Sequence, residues 1–262
     1  MIINKEWRIL TIGDGDLSFS NALLKSHQPA SLTATVYDSL ATLSEKYGDH
    51  FYQQLKAKNI PVLFEFDICN KNSWVGLTKH SFDVVIFQFP LLPAFRSFNE
   101  YQQRCATVNP NILNRRLLRT FLINSFAHFL DPNGQKLCFI TSKDVKPYRQ
   151  WNIETSLHLQ TDIHYLGATP FNIKMFPGYK VRNVDRDKHV KDTKGVTYVW
   201  STQKEHPIMD KLQAFQYKGE NYCSACRAGP FSTAQDAIEH KRSKKHLQMM
   251  EYEKLWKNDL KN

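Results

Sequence analysis

The sequence predicts an α/β fold, a doubly wound Rossmann-like sheet followed by a small C-terminal module, and three observations predict it. Short apolar runs alternate with helical patterns through the first 200 residues, the order that builds a parallel sheet covered by helices. The runs are close to continuous in apolar residues rather than alternating, as strands buried on both faces are. The first run ends in Gly13-Asp14-Gly15-Asp16 and passes straight into a helical pattern.

Taken in order, Trp7–Ile12 reads as a strand and Leu17–Lys25 as the helix after it. Leu32–Tyr37 reads as the second strand and Leu40–Lys58 as one long helix. Ile60–Phe66 and Phe82–Phe87 read as the third and fourth strands. Asn111–Leu130 carries a broad apolar stripe that includes Leu117, Leu118, Phe121 and Leu122, with Arg115, Arg116 and Arg119 expected mostly off it. The Asp131-Pro132-Asn133-Gly134 breaker precedes a fifth strand at Gln135–Thr141, and Val196–Ser201 gives a last one. Between Phe171 and Lys194 the pattern fails. Lys174 to Lys194 holds seven Lys or Arg against three Asp, and on charge alone it reads as a solvated loop. Residues 1–203 are therefore expected as one domain, 204–220 as a polar linker and 221–262 as the module.

Bulk composition narrows the function. A hydrophobic content of 42% excludes disorder as the default, and a net charge of +10 points toward nucleic acid as a partner. Lys5, Glu6 and Arg8 interrupt the apolar N-terminus, and Asp83, Gln88, Pro90 and Pro93 interrupt the longest apolar run. Neither a signal-peptide core nor a membrane span is expected. Three scattered cysteines and one close pair, Cys223 and Cys226, read as a reduced, intracellular set rather than a disulfide framework.

The glycine turn carries the chemistry. Gly13 and Gly15 let the backbone bend sharply and let a ligand lie on it beside the free N–H groups of a helix N-terminus. Tyr37-Asp38 ends the second strand, where a carboxylate accepts both hydrogen bonds of a ribose diol. Asp67-Ile68 ends the third, where an acid reaches an adenine amino group. Together these describe a nucleoside pocket. A dinucleotide site would want glycine where Ser18 stands, and Asp14 and Asp16 would repel a pyrophosphate. S-adenosyl-L-methionine, with an ammonium and a sulfonium and no phosphate, suits such a turn, and a nicotinamide oxidoreductase is the weaker reading.

With these residues in view, the chain resembles the rRNA (uridine-N3) methyltransferase family. That family's G-x-G-D-x-S-F-S turn is matched at Gly13, Gly15, Asp16, Ser18, Phe19 and Ser20, and its T-x-x-D-S segment at Thr35 to Ser39. A helical Lys-Tyr matches Lys46-Tyr47, and the third-strand acid matches Asp67. Its fourth strand, F-D-x-I-x-F-N-F-P-H, resembles Phe82 to Leu91, with Gln88 and Leu91 in place of its Asn and His. Later signals match Leu117-Leu118 with Phe121, Pro147-Tyr148 with Trp151-Asn152-Ile153, and Pro177-Gly178-Tyr179. The resemblance spans roughly residues 7 to 190 and implies a Rossmann-like enzyme that methylates N3 of a uridine in ribosomal RNA. It implies work in the nucleolus or nucleus of a eukaryote, or in the cytoplasm of a bacterium. Phe89 and Pro90 are then expected to wall the target base and Gln88 to hydrogen-bond its edge. Lys143, Asp144 and Tyr148 are candidates to take the proton. The Gln88 and Leu91 departures leave a second reading, a non-catalytic RNA-binding protein that keeps the fold.

The module reads as a zinc finger. Cys223, Cys226, His240 and His246 follow C-x₂-C-x₁₃-H-x₅-H. Two thiolates and two imidazoles at this separation form a closed tetrahedral zinc site, which supplies folding energy that about 30 residues lack. Phe231, Ala237 and Ile238 are expected as its small core. The long histidine gap, with Lys241-Arg242-Ser243-Lys244-Lys245 inside it, resembles matrin-type fingers that grip double-stranded RNA. A structured ribosomal RNA is the expected partner. Glu251–Leu260 reads as a helical tail.

Overall fold

The computed structural model describes residues 1–92, 108–182 and 195–261. The end of the apolar run after Leu92 and the part of the basic segment from 183 to 194 lie outside the described residues. In chain order the strands are β1 (Arg8–Ile12), β2 (Ser31–Thr35), β3 (Val62–Leu63), β4 (Val84–Gln88), β5 (Leu137–Lys143), β6 (His164–Phe171) and β7 (Gly195–Ser201). They form one sheet in the order β3-β2-β1-β4-β5-β7-β6. β1 runs parallel to β2 and β4, and β4 parallel to β5, while β7 runs antiparallel between β5 and β6. This is a doubly wound, Rossmann-like sheet. The order in which strands are added reverses between β1 and β4, the switch point outside which α/β sheets bind ligands.

The helices are α1 (Ser18–His27), α2 (Leu40–Tyr47), α3 (His50–Ala57), α4 (Pro110–Asn124), the single turn α5 (Ile153–Ser156), α6 (Ala234–Arg242) and α7 (Lys244–Asp259). Both faces of the sheet are covered. Leu10, Val85, Ile140 and Tyr198 pack on one face with α4, while Ile9, Val84, Ile86 and Phe139 pack on the other with α1. That two-sided burial explains why the strand runs lack polar alternation.

Several elements differ from expectation. The helix expected over Leu40–Lys58 is two helices, because Gly48 takes φ 74° and ends α2. β3 shrinks to two residues, and Glu65 just after it is turned to φ 55°. β6, which carries no clear period-2 signal, was not expected. Arg115 was expected off the apolar stripe of α4 and is instead 0% exposed. Ile238, expected in the finger's core, is 42% exposed.

Arg115 is buried because α7 lies against α4. Arg115 Nη2 bonds Glu253 Oε1 at 2.8 Å and the Gln150 carbonyl at 2.9 Å. Trp256, fully buried, donates from Nε1 to the Ser156 carbonyl at 2.9 Å. The tail helix begins at Lys244 and its apolar face, with Met249, is part of the protein interior. The stretch 204–220 also packs, with Ile208 buried and Gln213 bridged to Ala168 of β6.

Candidate functional site

The glycine turn, Asp38, Asp67, Gln88–Pro90 and Lys143 all fall at the carboxyl edge of the sheet, because each follows or ends a parallel strand. The turn itself is fixed by its neighbours. Gly13 N–H donates to Thr35 Oγ1 at 3.1 Å, and Asp14 N–H donates to the Thr35 carbonyl at 2.9 Å. Gly13 takes φ 60°, and a Cβ there would lie 3.1 Å from the Phe87 ring, so glycine is required. A Cβ on Gly15 would meet nothing within 4 Å. The backbone at Gly15 is thus open to a ligand.

The two aspartates of the turn have different jobs. Asp14 is buried, and its Oδ2 accepts the Ser20 N–H at 2.7 Å, so it anchors the first turn of α1 from below. Burial, and then the charge of Asp16, push its carboxyl up to about 7. Asp16 Oδ1 accepts the Ser18 N–H at 3.0 Å, and Asp16 Oδ2 accepts from Arg182 Nε at 2.7 Å. The segment that carries Arg182 is clamped to the same turn. Lys180 N–H donates to Ser18 Oγ at 3.1 Å, and the Arg182 guanidinium lies over the Tyr47 ring at 5.0 Å.

The outer acids are less committed. Asp38 Oδ2 accepts from Lys46 Nζ at 3.1 Å, and Tyr37 beside it is 49% exposed. Asp67 Oδ1 accepts the Cys69 N–H at 2.8 Å, while Ile68 is buried. The Ile68 carbonyl is held by Asn124 Nδ2 at 2.9 Å.

At the end of β4 the backbone is strained. Phe89 takes φ 45°, a conformation that a bulky residue rarely adopts and that concentrates at functional sites. Its N–H donates to the Thr141 carbonyl at 2.8 Å, and its ring meets Phe171 edge-on at 5.6 Å. Gln88 Nε2 lies 3.7 Å from Met1 Sδ, while Gln88 Oε1 is buried with no partner among the described residues. Pro90 is buried beside them. Lys143 Nζ sits 5.5 Å over the Tyr148 ring. Burial pulls the Lys143 ammonium below the ordinary lysine value and raises the Tyr148 phenol above its own. Asp144 is held by Arg149 through two bonds of 2.7 Å and by Arg227 at 3.4 Å.

In the module, Cys223, Cys226, His240 and His246 bring one ligand atom each within 4.8 Å of one another. His246 Nδ1 lies 3.5 Å from Cys223 Sγ, 3.6 Å from Cys226 Sγ and 3.2 Å from His240 Nε2. Ligands bound at about 2.0–2.3 Å around a tetrahedral zinc are separated by comparable distances. The cysteines sit on a tight turn closed by Cys223 and Ala228, His240 lies in the last turn of α6, and His246 in the first turn of α7. Thr233 and Asp236 cap the start of α6 reciprocally, and Ser243 joins the two histidines, its N–H donating to the His240 carbonyl and its Oγ accepting the His246 N–H at 3.2 Å.

The family model described as BMT5-like rRNA (uridine-N3-)-methyltransferase matches residues 10–183. The chain belongs to that family. Its match covers the turn, both outer acids, Gln88–Pro90, Lys143 and Arg182, and ends before the module. A Saccharomyces cerevisiae protein, the 25S rRNA (uridine(2634)-N(3))-methyltransferase, is 24% identical over 250 residues, 77% of this chain and 74% of that protein. An Arabidopsis thaliana protein, heavy metal-associated isoprenylated plant protein 41, is 26% identical over 181 residues, 68% of this chain and 33% of that one. Among solved structures, a methyltransferase from Pyrococcus furiosus is 12% identical over 77% of each chain, with a TM-score of 0.46. M. jannaschii TYW2 in complex with AdoMet is 12% identical over 76% of this chain and 71% of that one, with a TM-score of 0.39.

The family motifs predicted most of the edge, but not Arg182, which stands in the basic segment read as a solvated loop. Its signal was the Pro177-Gly178-Tyr179 match just upstream. Among the described residues, no helix is long and apolar enough to cross a membrane.

Proposed function

We propose that the protein transfers a methyl group to N3 of a uridine in ribosomal RNA. Bound across the glycine turn, S-adenosyl-L-methionine supplies a methyl group on a positively charged sulfur. The observation that carries the reading is the convergence of the family's turn, its two outer acids and its Phe-Pro strand end on one edge, at the β1/β4 switch point. The open backbone at Gly15 supports the cofactor's position there.

In this reading Asp38 holds the ribose diol with Tyr37 flanking it, and Asp67 and Ile68 hold the adenine. Gly13, Gly15, Asp16 and Ser18 face the methionine end, with Asp14 supporting them from beneath. Arg182, fixed on Asp16, pairs with the methionine carboxylate while Asp16 favours the ammonium. An amino-acid zwitterion needs one group of each sign, and this ion pair supplies both.

Phe89 and Pro90 wall the target base and keep water out, and Gln88, whose Oε1 has no partner among the described residues, hydrogen-bonds its edge by donating from Nε2 to a uracil carbonyl. The uracil N3–H must lose its proton for nitrogen to attack the methyl carbon in line. Lys143 accepts it: burial favours the neutral amine, whereas Asp144 is engaged by two arginines. Tyr148 packs against Lys143 and positions it. In a dry site, a deprotonated nitrogen and a sulfonium neutralise each other as the bond forms, which lowers the barrier relative to separated, hydrated ions.

The module, residues 221–262, is proposed to bind zinc through Cys223, Cys226, His240 and His246. Its basic turn at Lys241–Lys245 would grip phosphate on a structured RNA. Residues 1–203 form the catalytic domain in this division. The test is mass spectrometry of nucleosides from ribosomal RNA incubated with the protein and methyl-labelled cofactor. Labelled 3-methyluridine is expected; label on another atom or none overturns the assignment.

A further inference from the structure

A cavity of about 310 Å³ lies between the module and the β6–β7 end of the sheet, beside the loop that follows β5. No residue proposed for methyl transfer lines it. Tyr165 and Tyr198 of the sheet line it, together with Phe215 and Tyr217 of the connecting stretch. The module closes the far side with Arg227 and Lys245, and the loop after β5 closes the near side with Lys146 and Arg149.

Its electrostatics are one-sided. Four basic side chains line it against two acidic ones, Asp144 and Glu154, a surplus of two positive charges. Both acids are already spent. Asp144 is bound by Arg149 and Arg227, and Glu154 accepts from Arg227 at 2.5 Å. Lys146, on the lip formed by the loop after β5, and Lys245, on the lip formed by the module, are both exposed and are left to face an incoming anion. Between the lips are half-exposed rings, with Phe215 and Tyr217 centred 5.8 Å apart. Aromatic faces between cations are the means by which proteins hold unpaired nucleotides, stacking the base and neutralising the phosphate.

Size and connection agree. A volume near 300 Å³ is at the small end of ligand sites, enough for one nucleotide and too small for a duplex. The near lip also belongs to the loop that carries Lys143 and Tyr148 at the reaction edge. A strand whose target base enters that edge would pass the lip next.

We propose that this cleft binds an unpaired nucleotide flanking the target uridine, its base against Phe215 and Tyr217 and its phosphate between Lys146 and Lys245. The inference rests on the rRNA methyltransferase reading for the identity of the strand. It makes the module one wall of the substrate site.

The test uses the full-length protein with Lys146→Glu and Tyr217→Ala, each checked for an unchanged melting temperature. Affinity for a ribosomal RNA fragment is read by fluorescence anisotropy, alongside cofactor affinity and methylation kinetics. Each variant is expected to weaken RNA binding and raise the KM for RNA at least about fivefold. Cofactor affinity and kcat at saturating RNA stay as in wild type. Lys146→Glu also flattens the salt dependence of binding, Lys146→Arg restores it, and Tyr217→Trp restores affinity. A 4-thiouridine next to the target cross-links to the peptide spanning 212–222. RNA affinity unchanged in both variants, or cross-links only to other peptides, overturns the proposal and returns the cleft to a protein partner. Because anisotropy is read without turnover, a wild type that binds RNA through this cleft yet transfers no methyl would fail the catalytic reading alone.

Discussion

Arg182 and Asp16 are 166 residues apart in sequence, yet the guanidinium Nε sits 2.7 Å from the carboxylate Oδ2 at the mouth of the glycine turn. The pair is largely shielded, with side-chain exposures of 21% and 2%. It is held from outside by Tyr47 and from below by the Ser18–Lys180 bonds. An ion pair fixed this firmly at the proposed cofactor edge can be tested by its effect on binding.

Arg182→Gln is expected to weaken binding of S-adenosylmethionine and of its demethylated thioether about tenfold or more, the loss of one charge-assisted hydrogen bond. Binding of 5′-methylthioadenosine, which has the nucleoside but no amino-acid end, should not change. Isothermal titration of the three ligands checks this. Tighter binding of the full cofactor by the variant would mean that Arg182 blocks the site instead of completing it.

Much of this edge was legible in the sequence because it is local. A strand, a Gly-x-Gly turn and a helix are consecutive in the chain, and Asp38 and Asp67 are marked by the ends of apolar runs. What escaped is long-range. Arg115 looks like a solvated helix residue until α7, more than 120 residues later, brings Glu253 onto it. β6 has Gly167 and Pro170 inside it and is stabilised by pairing with β7 rather than by its own pattern. Asp83, part of the family's fourth-strand motif, lies at the opposite edge of the sheet from the glycine turn. There it accepts the Arg8 N–H at 3.0 Å and Arg8 Nε at 2.9 Å. A motif residue can therefore be a strand tie, and only the structure separates the two.

Asp14 predicts a pH dependence. Its folded value of about 7 lies above the ordinary 3.8, so the folded state holds a proton that the unfolded chain has lost between those values. Stability from this group is complete below about pH 4 and falls as pH rises to about 7, by on the order of 4 kcal/mol. Asp14→Asn keeps an acceptor for the Ser20 N–H and removes the ionisation. Denaturant unfolding of both proteins from pH 4 to 8 should give equal stabilities at the acid end and a variant that gains steadily above it. A difference independent of pH would show Asp14 ionised throughout.

The Arg115–Glu253 pair predicts that the C-terminal helix stabilises the sheet domain. Glu253→Ala leaves a guanidinium buried at 0% exposure without its carboxylate, and breaking a buried pair in this way costs about 3–5 kcal/mol. Arg115→Met together with Glu253→Leu removes both charges and should recover most of that loss. Urea midpoints of the three variants decide it. If Glu253→Ala is as stable as wild type, α7 is a passive tail.

Metal removal separates the module from the rest. If zinc joins the four ligands, the protein carries one equivalent, measurable by plasma mass spectrometry, and Cys223→Ser carries much less. The segment around Tyr222–His240 has few buried apolar side chains: Ile238 is exposed, and the half-buried Phe231 ring is tilted against that of His240 with centroids 5.0 Å apart. Without metal it lacks a core and should unfold. The second half of α7 should stay folded, because Trp256 and Glu253 anchor it to the sheet domain independently of the ligands. Hydrogen exchange after chelation should therefore accelerate over about 221–246 and stay slow near 250–258. RNA affinity should fall with it, since both the basic turn and one wall of the cleft are lost. Fast exchange along the whole of α7 would instead show that metal, rather than the Arg115–Glu253 contact, holds the C-terminus in place.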